Sequence, residues 1–270
     1  MSSPTISRPL QRIGAVVLRH WYLISGSLPR LLDLAYWPLI QMILWGFIQE
    51  FMAMQSTYFA MAFGVLLGAV MLWDILFRGQ ISLSLSFFEE VYSRNLGHLL
   101  ATPLRAWEYL VALMLTSAIR TLISLVPATL LAIWFFGFSI YSLGIALAAF
   151  FFSLIAFGWA IGLFVSGLVL RYGLGAEGFA WAFIFALAPL CGVYYPTTIL
   201  PEWVQALSAL LPASYIFDGM RALLMDQALR LDLLAIAAVL NVIWLGLGTM
   251  AFLGFYDAAR RRGMILQLGE

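Results

Sequence analysis

The sequence predicts an all-α integral membrane protein with six transmembrane helices. Of its 270 residues, 64% are hydrophobic and 10% are charged, and the mean hydropathy is +0.98. Soluble domains are about half apolar and about a quarter charged, so a water-soluble fold could not cover this much apolar surface. Six separate segments are also long and apolar enough to cross the roughly 30 Å hydrocarbon core of a bilayer.

Residues 1–30 precede the first of these spans. Their apolar run is too short for the core of a signal peptide, and Arg19 and His20 interrupt it. Apolar residues mix with Arg12 and Arg19, as in an amphipathic helix that lies flat on the cytoplasmic leaflet. We therefore predict an N-terminal interfacial helix, with a frayed tail as the alternative.

The six predicted spans cover residues 31–51, 58–77, 109–136, 143–170, 179–195 and 233–255. Asp33 interrupts the first span, but Trp37 and Trp45 flank an apolar stretch at depths suited to the two membrane interfaces. The predicted membrane domain therefore extends over residues 31–257, and a cytoplasmic tail of residues 258–270 follows it.

Arginine placement predicts the orientation of the bundle. With the N-terminus in the cytoplasm, most arginines fall on that side, namely Arg8, Arg12, Arg19, Arg30, Arg78, Arg94, Arg105, Arg171, Arg260, Arg261 and Arg262. Arg221 and Arg230 then face outward, and Arg120 lies within a span. Because cytoplasmic loops carry an excess of basic residues, we expect a multi-pass protein with both termini in the cytoplasm.

Composition also excludes several kinds of site. All 14 basic residues are arginines, and a phosphate-binding loop of the GxxxxGK[ST] type needs a lysine. The single Cys191 rules out a multi-cysteine metal site, and two histidines are too few for an all-histidine site. A net charge of +1 gives no general attraction to nucleic acid. We therefore predict no catalytic residue and no metal site, and any ATP hydrolysis belongs to another chain.

The loop of residues 86–103, between spans two and three, carries an amphipathic pattern. Apolar side chains recur at roughly helical spacing at Phe87, Tyr92, Leu96, Leu99 and Leu100. Thr102 and Pro103 end the pattern, because the residue before a proline avoids the α region. A short charged helix here would act as a lever, since a partner pushing on it moves both attached spans. A solvated connecting loop is the alternative.

This loop resembles the coupling-helix region of type-2 ABC exporter permeases. The residues that carry the resemblance are Glu89, Glu90, Asn95, Leu96, Leu99, Leu100, Thr102 and Pro103. The six-span layout, the flat N-terminal helix and the region after span five agree with that family as well, so the resemblance covers nearly the whole chain.

The resemblance implies a bacterial inner-membrane subunit that works as a homodimer. Each copy would sit on a separate ATPase subunit, which binds the ATP and Mg²⁺, and this chain would bind no cofactor and no nucleic acid. A lipid, glycan or hydrophobic drug-like substrate would move outward between the two copies, surrounded by membrane lipids. The residues implied in coupling to the ATPase are Glu89, Glu90, Arg94, Asn95, His98, Leu99, Thr102 and Pro103.

Prolines break the region after span five. Pro189, Pro196, Pro201 and Pro212 each remove a backbone donor, and broken backbone at membrane depth is tolerated only beside protein or a water-filled cavity. We therefore predict re-entrant half-helices over residues 196–224. Three aromatic side chains would suit the outer end of the translocation path, namely Tyr194, Tyr195 and Trp203. An ordinary interfacial aromatic belt is the alternative.

Arg120 lies about 20 Å along the third span from Trp107. A charge at that depth is costly and usually faces the bundle interior or a cavity. We favour an ion pair with Asp74 and keep contact with an anionic substrate as the second hypothesis, which would place Arg120 on the translocation path.

Two other classes of membrane protein remain alternatives. A membrane-embedded enzyme would need converging catalytic groups, but the chain has no HExxH, no GxSxG and no histidine within a predicted span. An ion-coupled secondary transporter typically shows paired half-repeats with matching broken helices. The break near Pro196 has no clear counterpart in the first three spans.

Overall fold

The computed structural model describes residues 7–55 and 64–261. These residues form α-helices joined by short turns, and no strand occurs among them. The helices, numbered in chain order, are α1 (Ser7–Ser25), α2 (Leu28–Gln55), α3 (Val65–Tyr92), α4 (Leu96–Ala101), α5 (Ala106–Phe136), α6 (Ala146–Tyr172), α7 (Gly178–Leu190), α8 (Glu202–Ser208), α9 (Pro212–Asp226) and α10 (Leu231–Arg261). The all-α fold is thus confirmed over the described ranges.

Five of these helices, α2, α3, α5, α6 and α10, are long and apolar enough to cross a membrane. The predicted fifth span corresponds to α7, which has 13 residues. That length is about 20 Å, shorter than the hydrocarbon core, so the structure does not confirm six spans. Residues 58–63 of the predicted second span and residues 262–270 of the predicted tail lie outside the described residues.

Helix α3 extends beyond the predicted second span. The sequence placed the end of that span at Phe77, whereas α3 continues to Tyr92 and takes in residues 86–92 of the predicted loop. Along this stretch, hydrogen bonds with neighbouring helices satisfy part of its polar groups. The Nε2 of Gln80 donates to the carbonyl of Ala180 at 3.0 Å, and the Ser117 hydroxyl donates to the carbonyl of Gly79 at 2.8 Å.

Helix α6 packs against both α3 and α10, and α3 is the most deeply buried of the five long apolar helices. Glycines in α6 face the backbone of α3, so the two helices approach closely. A Cβ at Gly158 would lie 2.7 Å from the Leu76 carbonyl oxygen and 2.9 Å from the Gln80 nitrogen. No side chain larger than hydrogen fits there without moving one of the helices.

The N-terminal helix α1 is present and packs on α5. Its buried apolar face includes Ile13, Val16 and Ile24. Ion pairs with other helices hold it in place, because Arg12 donates twice to Glu108, at 2.8 and 2.5 Å. The nearby Glu108 carboxylate raises the pKa of the Arg12 guanidinium, chiefly through these hydrogen bonds. Its predicted position flat on the membrane stays a prediction.

Two short helices, α8 and α9, follow α7. Pro212 occupies the start of α9, where its missing N–H has no helical partner to lose. The predicted break in this region is therefore present. Whether α8 and α9 re-enter a bilayer stays a prediction.

Candidate functional site

A cavity of about 580 Å³ lies between α2, α3, α5 and α7. Its wall combines aromatic and charged side chains, and we call it the charged cavity. The aromatic members are Trp37, Trp73, Phe77, Trp181 and Phe185. The charged members are Arg30, Asp33, Asp74, Arg78, Glu89 and Arg120.

At one end of the charged cavity, Glu89 lies between two arginines. Its carboxylate is 3.3 Å from Arg120 of α5 and 3.6 Å from Arg30 of α2. The sequence had favoured Asp74 as the partner of Arg120, and that pairing was wrong. Asp74 lies fifteen residues before Glu89 on α3, which is about 22 Å along the helix axis. Along the axis of α3, Arg120 lies at the level of Glu89 and not at the level of Asp74.

Further along α3, Asp74 and Arg78 face each other one turn apart. Arg78 Nε lies 3.6 Å from the Asp74 carboxylate, too far for a hydrogen bond. Among the described residues, Arg78 Nε and Nη2 and Asp74 Oδ2 have no hydrogen-bond partner. Arg78 is only 5% exposed. Buried groups of this kind are costly when unpaired, and this pair is incompletely satisfied within the described part of the chain.

The predicted coupling residues occupy three different environments. Glu89 lines the charged cavity. Glu90 is buried and accepts hydrogen bonds from Arg19 of α1 at 3.0 Å and from Asn95 at 2.6 Å. The other predicted residues lie on the connection from α3 through α4 to α5, where Arg94, His98, Thr102 and Pro103 are exposed and Asn95 and Leu99 are half-buried. Their docking to an ATPase stays a prediction.

The three predicted exit aromatics are separate from the charged cavity. Tyr194 stacks on Trp45 of α2 with ring centroids 4.5 Å apart. The Tyr195 hydroxyl donates to the carbonyl of Pro189 at 3.0 Å. Trp203 is 71% exposed on α8. Tyr194 and Tyr195 thus hold local structure, and Trp203 presents its ring outward.

Sequence reasoning missed a network around Arg221 of α9. Its Nη2 donates to the Gly192 carbonyl and to Asp218, each at 2.8 Å, and its Nη1 donates to the Val193 carbonyl at 3.3 Å. The Thr197 hydroxyl donates to the other Asp218 oxygen at 3.0 Å. This network, which we call the outer clasp, ties the turn after α7 to α9. The sequence signal for this network was the pair Asp218 and Arg221, three residues apart, together with Gly192 in the turn after α7.

The charged cavity was also missed as a site, although Arg120, Asp74 and Glu89 had each been singled out. Arg30, Asp33 and Arg78 were counted as loop charges or span-end charges, and Trp37 and Trp181 as span residues. A charged residue inside the 28-residue helix α3 was the signal that could have found Arg78, since intramembrane charges are usually functional or paired.

Comparison with known proteins gives the family. The family model for the ABC-2 type transporter matches residues 29–225, about three quarters of the chain. The match runs from the first turn of α2 almost to the end of α9 and so includes the charged cavity, α4 and the outer clasp. No curated protein matches the sequence. The chain therefore belongs to the ABC-2 type transporter family, as a membrane-spanning permease subunit.

Proposed function

We propose that this permease is the membrane half of an exporter driven by a separate ATPase. Two copies would enclose the path for a lipid, glycan or hydrophobic drug-like substrate, in the inner membrane and with both termini in the cytoplasm. The observation that carries the proposal is the exposed connection through α4, which joins two long apolar helices that both reach the charged cavity.

The connection is attached firmly at both of its ends. On the α3 side, Asn95 donates to Glu90, and Arg94 adopts a positive φ of 52° in the turn. On the α5 side, the Arg105 backbone N–H donates to the Glu108 carboxylate at 2.9 Å. A force applied to α4 would therefore reach both helices instead of being absorbed by a loose loop.

Movement of α3 against α5 would act directly on the cavity. Glu89 belongs to α3 and Arg120 to α5, and their 3.3 Å contact spans the two helices. A change in the angle between the helices would lengthen this contact and alter the cavity at that end. ATP hydrolysis in the partner could thus change the affinity of the cavity for its ligand.

The absence of lysine supports a separate ATPase. The lysine of a phosphate-binding loop reaches the β- and γ-phosphates, and this chain has none to offer. ATP and Mg²⁺ would therefore bind to the partner chain, and this subunit would supply the path and the lever.

The proposal is tested by purifying the chain from cells that also express its nucleotide-binding partner and measuring co-purified ATP hydrolysis. Introducing a negative charge on α4 with His98→Glu should reduce the co-purified activity at least about tenfold, because a like or unmatched charge at a docking surface is strongly unfavourable. Glu202→Arg, on exposed α8, is the matched control and should leave it unchanged.

A second measurement addresses the energy source. Transport by the reconstituted complex should require nucleotide and tolerate collapse of the ion gradients. Transport by the chain alone that persists without nucleotide, and stops when an ion gradient collapses, would show an ion-coupled transporter and overturn the proposal.

A further inference from the structure

We propose that a proton on the buried His20 fastens α1 to α3 beside the start of the connection through α4. The atoms around the imidazole ring call for both of its nitrogens to donate, and only the imidazolium form does so. The seating of α1 on the bundle therefore weakens as the pH rises. The inference concerns α1 alone and depends neither on the ATPase nor on the transported molecule.

The first nitrogen of the His20 ring faces a carbonyl group of its own helix. His20 is 0% exposed. Its Nδ1 lies 2.9 Å from the carbonyl oxygen of Val16, one turn earlier in α1. Because a carbonyl oxygen can only accept a hydrogen bond, this contact is favourable when Nδ1 carries a proton.

The second nitrogen, Nε2, faces two oxygens of α3. It lies 3.5 Å from the carbonyl oxygen of Ser86 and 3.7 Å from Oε1 of Glu90. A neutral imidazole with its proton on Nδ1 would direct the lone pair of Nε2 toward both oxygens. A second proton on Nε2 turns this repulsion into attraction, which is strong in a buried site of low dielectric constant.

Glu90 is arranged to be an anion beside this ring. Its Oε2 accepts hydrogen bonds from Arg19 at 3.0 Å and from Asn95 at 2.6 Å, and two donors of this kind favour the ionised carboxyl group. Its Oε1 is buried and has no hydrogen-bond partner among the described residues. An ionised oxygen is costly when buried without a partner, and the Nε2 of His20 lies next to it.

Other charged and titratable groups surround α1. From α5, Tyr109 presents a buried hydroxyl group and interacts electrostatically with Glu90 and Arg19. Among these residue types, only histidine ordinarily changes its charge near neutral pH. Further ion pairs beside α1 join Arg12 to Glu108 of α5, and Arg30 of α2 to Glu89 of α3.

The direction of the pH dependence follows from these contacts. At low pH the imidazolium donates toward Glu90, and α1 is held on α3. As the pH rises and the Nε2 proton is lost, the lone pair faces the carboxylate and this hold is removed. The same carboxylate holds Asn95, so the change occurs at the residue where the connection through α4 begins.

Nuclear magnetic resonance of the natural sequence tests the protonation state directly. The chain has two histidines, and the other one, His98, is exposed on α4. Histidine-selective ¹⁵N labelling of the purified full-length chain in detergent therefore gives two imidazole signals, and His98→Gln assigns them. At about pH 6, we expect two protonated nitrogens on His20, and at about pH 8 we expect the loss of the Nε2 proton.

A thiol-labelling measurement follows the seating of α1. Ile13 lies on the buried face of α1 and is 7% exposed, so Ile13→Cys should react with a maleimide only when α1 lifts. The rate is divided by that of the same variant carrying His20→Gln at the same pH, since glutamine keeps an amide donor that does not titrate. We expect this ratio to rise about tenfold between about pH 6 and about pH 8, because a charge-assisted hydrogen bond is lost.

His98→Gln is the matched control, since it removes the exposed histidine and should keep the tenfold rise. A constant ratio between the two pH values would overturn the inference, as would a rise that disappears in His98→Gln. A single protonated nitrogen on His20 at a pH where α1 is seated would overturn it as well.

A measurement on the natural sequence covers the case in which the α1 variants do not fold. Backbone hydrogen exchange of α1, corrected for its intrinsic dependence on pH, should increase between the same two pH values. Unchanged exchange, despite loss of the Nε2 proton, would contradict the inference. Since these assays involve no ATP, their failure leaves the ATPase test of the proposed function standing, and the converse also holds.

Discussion

The charged cavity and the outer clasp use the same residue types with opposite results. In the outer clasp, Arg221 has three acceptors, two at 2.8 Å, and Asp218 receives a further bond from Thr197. In the charged cavity, Asp74 and Arg78 approach only to 3.6 Å. Among the described residues, Arg221 leaves only its Nε without a partner, whereas Arg78 leaves two nitrogens and Asp74 one oxygen. The extent to which the charged groups are hydrogen-bonded, and not the presence of charge, therefore distinguishes the two regions.

The largest expected effect comes from neutralising the pair in the outer clasp. The double variant Asp218→Asn with Arg221→Gln should lower the free energy of unfolding by about 3 kcal/mol, because charged bonds to two backbone carbonyls are lost as well as the ion pair. Unfolding in a denaturing detergent titration measures this loss. Arg230→Gln is the control, since the exposed Arg230 side chain pairs with the exposed Asp232. Equal stability of the double variant would remove the outer clasp as a stabilising element.

A smaller effect is expected from one peripheral bond of the same network. Thr197→Val keeps the shape of the side chain but removes the donor to Asp218, so it should cost about 1 kcal/mol. Thr198→Val, at the exposed neighbouring position, provides a matched control in the same titration. A cost equal to that of the Asp218 and Arg221 double variant would mean that Thr197 holds the turn by itself.

The smallest effect is expected in the charged cavity. The double variant Asp74→Asn with Arg78→Gln replaces an incompletely satisfied buried pair by neutral amides and should change the free energy of unfolding by less than about 1 kcal/mol in either direction. The same titration applies. A loss as large as that in the outer clasp would show that the cavity pair is structural and would erase the contrast between the two regions.

The fold class and family were predictable because hydrophobicity and the α4 motif are local properties of the sequence. The end of α3 was not predictable in the same way. A hydropathy reading stops at Arg78 and Gln80, since it cannot show that these side chains face other helices. Once Gln80 bonds to the Ala180 carbonyl, its polarity no longer opposes a buried position.

The contacts of Glu89, Glu90 and Arg120 could not be predicted from the sequence for a related reason. Placing residues 86–103 in a loop removed both glutamates from the bundle, so Asp74 was left as the available partner for Arg120. The structure puts Glu89 within the cavity and Glu90 under α1. Pairings between residues 31 and 71 positions apart depend on how the helices meet, which no local pattern encodes.

The ion pairs of α1 have a consequence for how the protein is made. Arg12 lies 96 residues before Glu108, and Arg19 lies 71 residues before Glu90. Synthesis runs from the N-terminus at about 5 to 20 residues per second. Helix α1 therefore leaves the ribosome well before either glutamate has been synthesised. During that interval, neither carboxylate is available to pair with its arginines. Seating of α1 against α3 and α5 is therefore a late step in the assembly of this subunit.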